Sequence, residues 1–519
     1  MPSLPVRAPR FIVGPQGPAG PERWPLYKTA ASRAIESAAQ HAVPPHTLME
    51  RAAQALERLA RAIAPHARRV WIVAGPGNNG GDGLECAAML AAAGAQVHVS
   101  LLAADTARLP PDASIALERA RAAGVAITRA LDPPPLGPHD LAIDALLGLG
   151  RRNRAPSRPL ADAIAALNAL PCAILSVDLP SGLDADTGWL QHADKEAAPC
   201  VRATHTLALL TLKPGLFTAH GRDHVGTVWF DDLGVAHEHP VDAWLVCRAA
   251  AAAERPHASH KGSYGDVVVI GGAATMGGAV RLAGRAAALT GAGRVFVSPL
   301  EGPVEFDPGA PELMMRDWTT SPIDHATVVC GCGGGEVVRS ALSRVLARAP
   351  RLVLDADALN AVATDPMLAA QLVARAAAGR ATVLTPHPLE AARLLGSTTE
   401  AVQSDRLAAA QQLADRTRAV VVLKGSGTVV AAPWSAPSIN ATGNAALANA
   451  GSGDVLAGMI GGGWMAGGRA TDVSAAAQAL IAAREMVASH GALADTWAVR
   501  RHGPMVPSSQ LAMLAGRPL

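Results

Sequence analysis

A chain of 519 residues, half of them apolar and only 17% charged, is too long for one ordinary hydrophobic core and too apolar to stay disordered, so two or three globular domains are expected. Its 45 basic and 43 acidic residues are mixed along the chain and leave a net charge of +2, which excludes the electrostatic footprint of a nucleic-acid or anionic-membrane binder. Six cysteines (Cys86, Cys172, Cys200, Cys247, Cys330 and Cys332) lack metal-ligand spacing and read as buried free thiols of a reducing cytoplasm.

The opening "MPSLPVRAPRFIVGPQGPAGPE" is broken by Pro and Gly, so it reads as neither signal peptide nor membrane anchor but as a flexible arm, residues 1–24. No later apolar run reaches membrane-spanning length without Gly, Pro or charge. A helical lead-in is expected over 27–62. From 70 to 230, "VWIVAG", "QVHVSLL", "DLAIDALLG", "AILSVDLP", "THTLALL" and "GTVWF" alternate with Ala-rich helical runs. Unbroken apolar strands separated by helices predict a parallel sheet covered on both faces, a doubly wound α/β domain over 25–235. The rhythm lapses over 236–257, the expected linker, and resumes in "DVVVIGG", "GRVFVSPL", "ATVVCG", "RLVLDADAL", "ATVLTPH", "AVVVLKG" and "GTVVAAP". A second α/β domain is therefore expected over 258–519, closing with helices from about 446 onward.

Three strand ends in the first domain carry candidate chemistry. "GPGNNGGDG" (75–83) offers glycines for close backbone approach, and Asn78, Asn79 and Asp82 add groups that a plain phosphate loop does not need. A helix is expected to follow from Leu84; the plain alternative is a polar turn in which Asp82 caps it. "DALLGLGRRNRAP" puts Asp144 at a strand end, before Gly148, Gly150 and the basic Arg151, Arg152 and Arg154. "SVDLPSGLDADTG" places Asp178 and Ser181 at the next. Two carboxylates at neighbouring strand ends could bind a cation or divide the roles of proton acceptor and metal ligand.

Together with "TLMERAAQAL" and "THTLALLTLKPGL", these motifs resemble the NAD(P)H-hydrate epimerase domain, a Rossmann-like fold. The resemblance implies substrate contacts at Asn78, Asn79, Gly80, Gly81 and Asp82, at Gly148, Leu149, Gly150, Arg151, Arg152, Asn153 and Arg154, and at Asp178. It implies K+ held by Asn79, Asp144 and Ser181, and Asp178 is the expected acid/base carboxylate.

In the second domain, Gly277, Gly278 and Ala279 could let a loop approach a ligand or could form a packing turn. "LDADALN" places Asp355, Asp357 and Asn360 past a strand, as for a solvated or magnesium-bound site. His387 lies between two prolines in "TPHPLE", and "LKGSGT" presents Lys424 and two glycines at what is either a hairpin turn or a phosphate cradle. The weight comes from "NAGSGDVLAG", where Gly451, Ser452 and Gly453 lead into an apolar helix with Asp454 in its first turn, placed to take a proton from an attacking hydroxyl.

"HKGSYG", "DADALN", "TPHPLE", "LKGSGT" and "AGSGDVLAG" resemble the ADP-dependent NAD(P)H-hydrate dehydratase domain, a ribokinase-like fold. The resemblance implies Asp454 as catalytic base, substrate contacts at Ala279, Gly333, His387 and Asp454, nucleotide contacts at Lys424, Gly425, Ser426, Gly427, Thr428 and Gly453, and Mg2+ with ADP. "GCGGG" (331–335) departs from the family's G-P-G-L-G. The implied activity is bifunctional repair of NADHX and NADPHX by a cytoplasmic protein, expected to be a homo-oligomer, with no nucleic-acid or membrane partner. A small-molecule kinase with a non-catalytic ligand-binding domain is the alternative.

Overall fold

A computed structural model of the chain describes residues 11–12, 23–149, 157–190, 192–193, 196–249, 255–302, 304–466, 473–500 and 503–516. The chain forms two compact units, Met1–Pro21 with Pro25–Ala243, and Glu22–Trp24 with Trp244–Leu519.

The first unit opens with α1 (Thr29–Ala42) and α2 (Thr47–Ile63). The expected single lead-in is thus two helices, divided at Pro44 and Pro45, because a proline removes an amide donor and disfavours a helical predecessor. His46, just before α2, takes a left-handed backbone with φ of 69°. There follow β1 (Arg69–Ala74), α3 (Asn78–Ala92), β2 (Gln96–Leu101), α4 (Pro111–Ala122), β3 (Ala126–Thr128), β4 (Leu141–Ala145), α5 (Arg158–Asn168), β5 (Ala173–Val177), β6 (His205–Leu209) and β7 (Thr227–Asp231). The sheet order is β7-β6-β5-β4-β1-β2-β3, every neighbour parallel. Phe11–Ile12, inside the segment expected to be a flexible arm, adds an antiparallel edge beside β7.

Strand alternation covers both faces. Val70 and Ile72 pack with Leu56, Leu59 and Leu84 from α2 and α3, while Trp71 and Val73 face Leu160, Ile164 and Leu167 of α5. The strand order reverses between β1 and β4, and the crevice at the carboxyl ends of that pair is where such sheets bind ligands.

The second unit repeats the architecture with β8 (Ala243–Val246), β9 (Asp266–Gly271), α6 (Gly277–Leu289), β10 (Arg294–Pro299), β11 (Met314–Met315), β12 (Thr327–Cys330), α7 (Arg339–Arg348), β13 (Arg351–Leu354), α8 (Asp357–Thr364), α9 (Pro366–Ala377), β14 (Ala381–Leu384), α10 (Pro388–Leu395), α11 (Thr399–Ser404), α12 (Arg406–Thr417), β15 (Val420–Leu423), β16 (Val429–Ala432), β17 (Ser435–Asn440), α13 (Ser452–Ala466), α14 (Ala475–Val499) and α15 (Ser508–Leu514). Strand β8 falls inside the segment expected as a linker and pairs in parallel with β17. From β11 the order runs β11-β10-β9-β12-β13-β14-β15-β16-β17-β8. It is parallel through β15, and β15, β16 and β17 then pair antiparallel. Strand β17, "SAPSIN", escapes a reading by apolar runs because Ser and Pro interrupt it.

Helix α13 lies unusually close to α6, and glycines make that possible. A Cβ at Gly458 would fall 2.1 Å from the Ala283 carbonyl oxygen, and one at Gly462 would fall 2.3 Å from that of Ala287. We therefore predict that Gly458→Val destabilises the second unit by about 2 kcal/mol or more through overpacking, read as a lowered thermal midpoint; an unchanged midpoint would contradict this close packing.

Candidate active sites

In the first unit, the amino end of α3 meets the ends of β4 and β5 around a cavity of about 460 Å³. Asn78, Asn79, Asp82, Gly148, Leu149 and Asp178 all line it. Gly150, Arg151, Arg152, Asn153 and Arg154 lie outside the described residues. Helix α3 starts at Asn78, not near Leu84, with Gly77 as its N-cap residue and no side-chain cap. Asp82 therefore sits inside the helix and does not cap it, and the uncapped first-turn amides are available to an anion.

Asp144 is the hub of the polar floor. Its carboxylate accepts Ser181 Oγ at 2.6 Å, the Ser181 amide at 2.9 Å, Ser176 Oγ at 2.9 Å and the Leu146 amide at 3.3 Å. Burial raises its pKa, and those hydrogen bonds pull the other way. Ser181 Oγ also accepts the Leu147 amide at 2.9 Å. Asn79 Nδ2 is buried without a hydrogen-bond partner. Turning that amide over would present oxygen on the orphaned side, so Asn79, Asp144 and Ser181 could each offer a hard oxygen donor of the kind an alkali cation takes.

Asp178 is held in a left-handed backbone, φ 68°, a conformation that costs a non-glycine residue on the order of 1 kcal/mol or more and clusters at functional sites. Its carboxylate accepts the Leu209 amide at 3.2 Å and pairs with the Lys213 ammonium. Lys213 is almost fully buried and also donates to the Leu209 carbonyl at 2.9 Å. Sequence reasoning passed over Lys213; its only signal is a lysine directly before "PGL" after an apolar strand. Across the same cavity, Asp82 is pushed well above the usual carboxylate range by burial, and then by the negative charges of Asp178, Glu36 and Asp112.

The second unit also gathers its predicted residues at the carboxyl ends of parallel strands. Ala279 and Gly333 meet where the order reverses between β9 and β12: the Ala273 amide donates to the Gly333 carbonyl at 2.7 Å, and a Cβ at Gly333 would lie 2.9 Å from that of Ala279. Gly277 and Gly278 open α6. Asp355, past β13, is buried, not solvated, and accepts Lys424 Nζ at 2.7 Å and Thr385 Oγ1 at 2.7 Å. Asp357 and Asn360 are engaged structurally, accepting the Gly335 amide at 2.8 Å and Arg393 Nη1 at 2.6 Å. Asp355 also lies with Cys332 and Asp454 in a group whose ligand atoms are all within 4.8 Å of one another, an arrangement that could share a cation with nucleotide phosphates.

Burial depresses Lys424, but the charges of Asp355 and Glu390 more than offset it and leave its pKa raised. A Cβ at Gly453 would lie 3.2 Å from Lys424 Nζ, so the glycine loop and the lysine are immediate neighbours. Asp454 stands in the first turn of α13. Burial, followed by the charge of Asp355, raises its carboxyl to about 6, while the Cys332 thiol and Lys424 oppose the shift. Cys332, the departing residue of "GCGGG", thus touches the predicted base. His490 supports the helix start by hydrogen-bonding the Ser452 carbonyl at 3.1 Å.

His387 has a structural task as the N-cap of α10. Its Nδ1 accepts the Leu389 and Glu390 amides at 3.2 and 3.3 Å, and Glu390 returns a bond by accepting the His387 amide at 2.8 Å. The side chain remains 46% exposed, so capping leaves part of the ring open to a ligand. Lys424, Gly425, Ser426, Gly427 and Thr428 make the connection between antiparallel β15 and β16; hairpin turn and candidate cradle are the same segment. All six cysteines are free and buried, and among the described residues no helix is long and apolar enough to cross a membrane.

Residues 267–513 match the family described as NAD(P)H-hydrate dehydratase, and residues 45–215 match the one described as YjeF-related protein N-terminus. A bifunctional NAD(P)H-hydrate repair enzyme from Escherichia coli K12 is 37% identical over 478 residues, covering 88% of this chain and 86% of its own. One from Moorella thermoacetica is 34% identical over 524 residues, covering 92% of each chain. Among solved structures, an ADP/ATP-dependent NAD(P)H-hydrate dehydratase from Bacillus subtilis, co-crystallised with ATP and Mg2+, is 30% identical with a TM-score of 0.42 over 50% of this chain and 91% of that one. With both halves matched in order and relatives covered nearly end to end, this chain belongs to the family of bifunctional NAD(P)H-hydrate repair enzymes.

Proposed function

We propose that the first unit interconverts the R and S epimers of NADHX and NADPHX, and that the second dehydrates the S epimer to NADH or NADPH with ADP, releasing AMP and phosphate. The observation that carries this reading is Asp454: a carboxyl raised to about 6, in the first turn of a helix and beside the part-buried Lys424–Asp355 pair. A general base poised near the working pH is what deprotonation of a hydroxyl requires.

The steps follow from the groups present. Asp454 takes the proton of the ring hydroxyl as its oxygen attacks the β-phosphorus of ADP; the bond from that phosphorus to AMP breaks. Hydroxide, a poor leaving group, is thereby converted into phosphate. The carbon–oxygen bond to phosphate then breaks, a proton leaves the adjacent ring carbon, and the double bond returns. Lys424 and the amides of the 424–428 loop and of the α13 terminus offset phosphate charge throughout. Mg2+, shared between Asp355 and the nucleotide, would supply further charge neutralisation.

In the first unit the cavity takes the nicotinamide end of the hydrate, with Asp178 as the acid/base carboxylate and Lys213 as its ion-pair partner. K+ at Asn79, Asp144 and Ser181 would supply positive charge for the substrate's phosphates. The basic run Arg151, Arg152 and Arg154, outside the described residues, belongs to the same assignment. Because a base acting on one stereochemical hand leaves the other unrepaired, the first unit feeds the second. The free thiols suit a cytoplasmic setting, and a homo-oligomer is the assembly we propose.

Supplying purified protein with both epimers and following reduced-nicotinamide absorbance with ADP, with ATP and without nucleotide tests the reading; absence of ADP-dependent recovery would overturn it. Asp454→Asn should cut recovery of both epimers roughly 10²–10⁴-fold while epimer exchange persists. Asp178→Asn should strand one epimer apart from its spontaneous exchange, and equal loss of both would contradict the division of labour. Because Asp454 must be ionised to act, dehydratase kcat should rise as pH increases through about 6 and level off above it. A flat profile between pH 5 and pH 7, a range set around that value of about 6, would count against Asp454 as base. Lys213→Met leaves a buried carboxylate unpaired and should cost about 3 kcal/mol; combining it with Asp178→Asn should restore part of that loss in a double-mutant cycle read by thermal or denaturant unfolding.

A further inference from the structure

Arg406 is the first residue of α12 and is 1% exposed, a costly place for a guanidinium that no account of the chemistry has used. It lies directly beneath the 424–428 connection. Nη2 donates to the Leu423 carbonyl at 3.2 Å and to the Lys424 carbonyl at 3.1 Å, and Nη1 to Gln403 Oε1 at 2.5 Å. Gly425 has φ of +136°, and a Cβ there would lie 2.9 Å from Nη2 and 3.0 Å from Nη1. The loop is therefore folded over the guanidinium, with no room for a side chain between them.

We infer that Arg406 is the positioning residue of the nucleotide loop: by holding the carbonyls of Leu423 and Lys424 inward, it aims the Gly425 amide outward at the phosphates of a nucleoside diphosphate. The step from carbonyl to amide is covalent geometry. In a trans peptide the C=O of Lys424 and the N–H of Gly425 lie in one plane and point in opposite directions. The neighbouring Lys424 amide is already spent on the Pro386 carbonyl at 2.9 Å, so the Gly425 N–H is the one this arrangement turns toward an anion. Burial lowers the Arg406 pKa to about 10, which leaves it charged at neutral pH. A buried positive charge under the loop therefore adds attraction for phosphate without touching it. Lysine cannot substitute fully, because one ammonium lacks the planar fork that serves both carbonyls through Nη2 and Gln403 through Nη1.

This inference rests on assigning residues 424–428 to the nucleotide, and the experiment separates the two. In the full chain, KM for ADP and KM for the S hydrate are measured for Arg406→Met, Arg406→Lys and, within the loop, Gly427→Val, together with the ADP-induced shift in thermal midpoint and the rate of epimer exchange. Arg406→Met should raise KM for ADP about tenfold, change KM for the hydrate less than about twofold, and lose most of the ADP-induced shift. Arg406→Lys should fall between it and the wild type, and it carries the test should the methionine variant fail to fold. Equal increases in both KM values, or loss of activity that tracks a lowered midpoint with KM for ADP unchanged, would overturn the positioning role. If Gly427→Val raises KM for ADP and the Arg406 variants do not, only this inference fails; if Gly427→Val leaves it unchanged, the loop assignment fails as well.

Discussion

A lysine ammonium held against a buried aspartate recurs in both units, and the rest of each site is arranged around it. Lys213 pairs with Asp178 in the first and Lys424 with Asp355 in the second. Neither charge could be accommodated alone in an apolar α/β interior, since an isolated buried ion costs several kcal/mol. Once paired, each becomes a fixed dipole at the carboxyl end of a parallel sheet, where the loops converge. A second carboxylate in each unit, raised first by burial, is pushed further by the charge of the paired aspartate. Asp82 is raised partly by the charge of Asp178, and Asp454 partly by that of Asp355. In each unit one aspartate is paired with a lysine while a neighbouring aspartate has its pKa raised, and two carboxylates in unlike environments can divide acid–base work.

The two units put this device to different ends. In the first, the pair stands beside a polar floor in which Asp144 satisfies four donors from Ser176, Ser181 and Leu146. In the second, glycine loops and the start of α13 surround the pair with backbone amides, which is how a site prepares for transferred phosphate. Repairing a cofactor hydrated in two configurations at one ring carbon calls for both kinds of site, one that exchanges the epimers and one that removes the hydroxyl from a single epimer.

Most of the fold was legible because unbroken Val, Ile and Leu runs such as "VWIVA" and "DVVVIG" have one reading in a sheet buried on both faces. The candidate residues were legible where several special side chains sit together in sequence, as in "GPGNNGGDG" and "NAGSGDVLAG". Contacts between distant positions were not. Lys213 meets Asp178 across 35 residues and Lys424 meets Asp355 across 69, and a lysine beside a turn ordinarily reads as solvent-facing. Arg406 was hidden for the same reason, as an arginine in an otherwise amphipathic helix. The start of α3 was misplaced because Asn and Gly have weak helix propensity; tertiary packing overrides it, with Gly81 lying against Ala113 and Met49. His387 could be found but its task could not, since capping is decided by backbone geometry that sequence only hints at.

The close seating of α13 on α6 reaches beyond stability. With glycine at 458 and 462 facing the backbone of Ala283 and Ala287, no flexible side chains lie between the two helices at those points to absorb a displacement. The rigidity that aims Asp454 is therefore borrowed from a helix that carries none of the phosphate loop. Small residues on α6 become a silent part of the site: over evolutionary time they are bound to stay small in step with the glycines opposite, and drift at either helix would be felt first as misaimed chemistry and only later as a weaker fold.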